Sequence, residues 1–129
     1  MRILVLDDDQ GRLDKFALSL CKPDTELYIA RTADVAIQLL AYHHFDMVFL
    51  DHDLGLTPVP DPGDGSQVVQ WIAHMAAYHG RFQQTKFYIH SMNDEGKPQY
   101  MIDILHSAGL NVKDAPLVWE DMYRVAVAS

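Results

Sequence analysis

Short apolar runs alternate with stretches of helical spacing along most of the chain. "RILVLDD" at the start reads as a strand, and "GRLDKFALSLC" sets Leu13, Phe16, Ala17 and Leu20 three and four residues apart, the spacing of one helix face. "TELYIA" follows Pro23-Asp24 as a second strand. Thr32 then caps the helix "ADVAIQLLAY", whose expected apolar stripe is Val35, Ala36, Leu39 and Leu40, and "DMVFLD" is the third strand. After a long loop come the helix "SQVVQWIAHMAAY", with Val68, Ile72 and Met75 or Ala76 on one side, and the fourth strand "KFYIHS". A helix is predicted from about Pro98 to Ala108, with Met101, Ile102 and Leu105 inward and Gly109 as its stop. "NVKDAPLVW" reads as a fifth strand interrupted or bordered by Pro116, and "EDMYRVAVA" as a short last helix at most.

Five strands alternating with helices imply an α/β fold, a parallel sheet covered on both faces. The economical arrangement is a flavodoxin-like doubly wound sheet of order 2-1-3-4-5. There the first and third strands are neighbours, and the ligand crevice lies at their carboxyl ends.

Length and composition agree with this picture. The 129 residues suit a single domain over 1–129, and 49% hydrophobic with 22% charged residues is ordinary for a globular chain. No apolar run reaches the roughly 20 residues needed to span a bilayer. "MRILVLDDDQ" is too short and too acidic for a signal peptide, so a cytoplasmic location with no membrane contact is expected. A lone Cys21 in a helical stretch reads as a structural thiol. The net charge of -8 argues against an extended nucleic-acid surface but leaves room for a small phosphorylated ligand, because a divalent cation can sit between an acidic pocket and a phosphate.

The chemistry gathers at the strand ends. The first strand ends in Asp7-Asp8-Asp9, the third in Asp51-His52-Asp53 and the fourth in His90-Ser91. Carboxylates this close repel, so protons or a cation must sit among them. Mg²⁺ or another divalent cation is the natural occupant, accepting carboxylates while leaving positions for phosphate oxygens. Two first-strand acids with Asp51 would suffice. Asp9 either joins them or caps the first helix, and Asp53 is either a ligand or a turn residue before Leu54-Gly55. Asp46, at the other end of its strand, reads as structural. His43, His44, His74, His79 and His106 lie on or beside helices and read as surface residues. His52 and His90 sit at strand ends beside acids, where imidazoles act as general acid and base or bind phosphate. The loop "LTPVPDPGDGS", where Gly55 to Gly65 inclusive holds three prolines and three glycines, is either a wall over the crevice or a spacer.

This pattern resembles the receiver domain of two-component response regulators, with Asp7-Asp8 in "ILVLDDD" similar to that family's acidic pair and Asp51 in "FDMVFLD" similar to its phosphoacceptor. The resemblance implies Mg²⁺ held by Asp8, Asp51 and the carbonyl of Asp53. It departs later in the chain. Ser91 stands for the family's hydroxyl residue, but the Lys expected at the end of the fifth strand is missing where the chain runs to Ala115-Pro116, and Lys113 falls short of that end.

These departures resemble the cyclic-phosphate processing receiver group, proposed to act on cyclic phosphates, through "LDHDLG", the later Asp64-Gly65 and the run "HSMN" giving His90, Ser91 and Asn93. The resemblance implies a receiver-like domain with a metal-assisted phosphate site that hydrolyses or otherwise processes a cyclic phosphate such as a cyclic nucleotide. Asp8 and Asp51, with Asp7 or Asp53, would hold the metal. Asp51, His52 and His90 would carry the chemistry, and Ser91 and Asn93 would orient the phosphate. One alternative is a single-domain receiver phosphorylated on Asp51 by a phosphodonor kinase. The other is a binding module that has kept the fold without the chemistry.

Overall fold

A computed structural model of the chain describes residues 1–20, 22–51, 65–90 and 98–114. The elements are β1 (Arg2–Leu6), α1 (Gln10–Leu20), β2 (Glu26–Ala30), α2 (Ala33–Tyr42), β3 (Met47–Asp51), α3 (Gly65–His79), β4 (Lys86–His90), α4 (Pro98–Ser107) and β5 (Asn111–Asp114). All strand pairs are parallel and the order is β2-β1-β3-β4-β5, the expected doubly wound sheet. Every strand therefore points its carboxyl end to the same edge.

Alternation along each strand divides the core in two. Leu4 and Leu6 of β1 and Val48 and Leu50 of β3 face α2, α3 and α4, which contribute residues such as Leu40, Ile72 and Leu105. Ile3 and Val5 of β1 and Met47 and Phe49 of β3 face the other way, onto Leu13, Phe16 and Leu20 of α1. Phe49 lies between two rings on that side, edge-on to Phe16 at 5.4 Å and stacked on Tyr88 at 5.1 Å. Full burial of side chains this large contributes roughly 1.5–3 kcal/mol each.

The helix ends follow their sequence signals. Thr32 Oγ1 accepts the Val35 N–H at α2. After α4, the Gly109 N–H donates to the His106 carbonyl and the Leu110 N–H to the Leu105 carbonyl, a Schellman closure that requires the left-handed φ of +80° found at Gly109. The buried face of α2 differs from the expected stripe. Ala33, Ala36 and Leu40 are buried, whereas Val35 is 41% exposed, because the face centres on the 33-36-40 row and residue 35 is turned about 100° away from residue 36. On α3, Ala76 rather than Met75 is the buried residue.

Two histidines read as surface residues also have packing duties. His43 closes α2 and its ring lies 5.2 Å from Tyr28, and His106 Nε2 lies 3.1 Å from the Val112 carbonyl, tying α4 to β5. Asp46 is structural as expected: its Oδ2 accepts the Arg2 N–H at 2.8 Å. The loop 52–64, Cys21 and the expected last helix lie outside the described residues, as does the part of the fifth-strand reading beyond Asp114. Among the described residues no helix is long and apolar enough to cross a membrane.

Candidate functional site

Register decides which side chains can meet. Leu6 of β1 pairs with Leu50 of β3, so Asp7 and Asp51 lie one step further along neighbouring strands. The two-residue period puts Asp7 on the side of Ile3 and Val5, and Asp51 on the side of Met47 and Phe49. Both carboxylates thus emerge on the face that α1 covers. Asp51 is also the Cα partner of His90, which brings the β4 backbone to the same point.

Asp7, Asp8 and Asp51 each offer a carboxylate oxygen within 4.8 Å of the others. Asp7 and Asp51 are buried and Asp8 is half-buried. At about 4 Å and an effective dielectric of about 20, each like-charged pair repels by roughly 4 kcal/mol, so the cluster needs positive charge nearby.

Part of that charge comes from Arg12, a residue the sequence reading did not single out. Its Nε donates to Asp7 Oδ2 at 2.8 Å and its Nη2 to Asp7 Oδ1 at 2.8 Å. Nη2 also reaches Asp51 Oδ2 at 3.3 Å, and Nη1 lies 3.6 Å from Asp9 Oδ2. Hydrogen bonding to Asp7 holds the Arg12 guanidinium above its ordinary pKa, outweighing the opposing effect of burial, with the charges of Asp7, Asp51 and Asp9 adding to it. Arg12 had a readable signal. It stands in the first turn of α1, where the helix dipole disfavours a cation, and such placement points to an anionic neighbour.

Asp51 therefore also has a structural part, as an acceptor for Arg12. Asp9 caps α1: its carbonyl accepts the Leu13 N–H and its Oδ1 accepts the Gly11 N–H at 3.3 Å. Its own N–H donates to Asp7 Oδ1 at 2.9 Å, which fixes the turn from strand to helix. At the rim a second unanticipated guanidinium, that of Arg31, donates through Nη2 to the Asp8 carbonyl at 3.2 Å and through Nη1 to Gln10 Oε1.

The donor set suits a hard divalent cation. Asp7, Asp8 and Asp51 offer only oxygens, and they converge. Of the residues expected at the site, the structure brings Asp7, Asp8 and Asp51 together and sets the His90 backbone beside Asp51. His52, Asp53, Ser91 and Asn93 lie outside the described residues. Lys113 is exposed on β5, paired with Tyr88 and short of the strand end.

The model of the cyclic-phosphate processing receiver domain matches residues 2–107. By sequence, no curated protein matches the chain. Solved structures similar in fold include a two-component response regulator from Clostridium difficile, with TM-score 0.69 and 21% identity, covering 99% of this chain and 93% of that one. A CheY-like response regulator receiver domain protein from Methanospirillum hungatei JF-1 has TM-score 0.68 and 18% identity, covering 98% of this chain and 90% of the other. A sensor protein from Polaromonas sp. JS666 has TM-score 0.71 and 15% identity, covering 98% and 93%. At such identities the likeness establishes the receiver fold.

Proposed function

The chain belongs to the cyclic-phosphate processing receiver family, and on that premise we propose that it opens cyclic phosphates, such as a cyclic nucleotide, at a metal-assisted site on the carboxyl edge of β1, β3 and β4. The observation that carries this reading is the convergence of Asp7, Asp8 and Asp51, with His90 as the register partner of Asp51.

Asp8 and Asp51 hold the cation, with Asp7 or Asp53 completing the set. When bound, Mg²⁺ or a similar ion draws off charge from the phosphate oxygens. His52 and His90 serve as general base and acid: one takes a proton from the attacking water, the other gives a proton to the ester oxygen that leaves. The water oxygen bonds to phosphorus, one P–O ester bond breaks, and the ring opens to a phosphomonoester. Ser91 and Asn93 orient the phosphate. Incubation of the protein and Mg²⁺ with a 2′,3′-cyclic nucleotide tests the reading. Ring opening is expected, reduced by about a hundredfold or more in His90→Ala and in Asp51→Asn. Intact substrate across divalent metals and pH would remove it.

A second reading is favoured by the 3.3 Å contact between Arg12 and Asp51 Oδ2, which sets a positive charge where an aspartyl phosphate on Asp51 would need one. In that reading the chain is a single-domain receiver that takes phosphate from a kinase. Intact-mass measurement after exposure to a small phosphodonor is then expected to show a phosphate adduct that Asp51→Asn lacks. No adduct under conditions that label an ordinary receiver would exclude it.

A further inference from the structure

The geometry points to Arg12 as a built-in counter-cation that a divalent metal must displace from Asp7 and Asp51 in order to bind. This deepens the metal-assisted reading above and rests on it. The oxygens available to an ion and the oxygens engaged by Arg12 belong to the same carboxylates. Asp7 gives Oδ2 to Nε and Oδ1 to Nη2, and Oδ1 also accepts the Asp9 N–H. Asp51 gives Oδ2 to Nη2. A guanidinium left in that position would face an incoming divalent cation at close range across largely buried carboxylates, where repulsion is only weakly screened.

The position of Arg12 supports a held rather than a chance contact. Its side chain is 19% exposed, and it sits at the amino-terminal turn of α1, where the dipole disfavours a cation and the carboxylates of Asp7, Asp9 and Asp51 offset it. Phe16 and Leu13 of the same helix pack into the α1-side core, so the backbone from which Arg12 reaches the acids is fixed. The side chain can leave without moving the helix. Exchange of the guanidinium for the metal therefore needs only rotamer changes in Arg12.

The inference makes Arg12 a positioning residue that sets metal affinity and supports the metal-free fold. Mg²⁺ titration by calorimetry, with thermal unfolding in chelator and in Mg²⁺, tests it on the whole chain. Arg12→Gln is expected to bind Mg²⁺ about tenfold more tightly than the parent, since one repelling charge is gone. The same variant is expected to melt lower than the parent in chelator and to gain more from Mg²⁺. Should Arg12→Gln not fold, Arg12→Lys, which keeps the charge but not the fork, is expected to bind about threefold more tightly than the parent. Binding no tighter than the parent in the folded variant, or equal melting in chelator, overturns the inference about Arg12 while leaving the metal reading in place. No Mg²⁺ binding by parent or variant removes both.

Discussion

The Arg12 guanidinium meets the Asp7 carboxylate at two points, Nε on Oδ2 and Nη2 on Oδ1, each at 2.8 Å, and the carboxylate is fully buried beneath it. A buried acid in a negatively charged cluster is tolerated because a forked, permanently charged partner reaches it from α1. Asp7→Ala removes both bonds and the acceptor for the Asp9 N–H. A loss of about 2–3 kcal/mol is expected in urea unfolding. A change below about 0.5 kcal/mol would mean that the fork contributes little to the fold.

Gly109 tests the backbone rather than the site. Its φ of +80° closes the carboxyl end of α4, and nothing lies within 4 Å of where a Cβ would stand. Gly109→Ala therefore meets no clash, and its cost is conformational, expected at about 1–2 kcal/mol by chemical denaturation. Asn at the same position is expected to cost less, since it tolerates the left-handed region better.

Tyr88 gives a pH signature. Burial raises its phenol pKa; the residue is 5% exposed and its ring stacks on Phe49. A raised folded pKa means that the folded chain keeps the proton longer than the unfolded one. The associated stability is present below the unfolded value of about 10 and is lost as pH rises above it. Melting temperatures measured from pH 8 to 11 are expected to fall more steeply for the parent than for Tyr88→Phe. Parallel curves would show that the buried phenol does not drive the alkaline loss.

Most of the scaffold could be read from pattern alone because it is set by local periodicity. Runs such as "RILVL" and "MVFLD" are too short and too apolar for anything but buried strands, and Leu13, Phe16 and Leu20 mark the inward face of α1 at helical spacing. The same rule misplaced Val35, because an apolar residue at the margin of a helix face counts toward a stripe whether or not the sheet reaches it. Asp7, Asp8 and Asp51 were legible as a cluster once the strand order put β1 beside β3. Arg12 was not, since the carboxylates it donates to lie five and 39 residues away, one just past the end of β1 and one at the end of β3, a relation that no periodicity encodes. Only its place in the first turn of a helix hinted at an anion nearby.

The account depends most on the claim that the acids at the ends of β1 and β3 take a divalent cation. Calorimetric titration of Mg²⁺ into the parent and into Asp51→Asn, with both confirmed folded, reads it directly. One ion per chain is expected in the parent, with affinity at least about tenfold weaker in the variant, in which one charged oxygen ligand has become a neutral amide. Equal affinity in the two proteins, or no heat of binding in the parent, would contradict it.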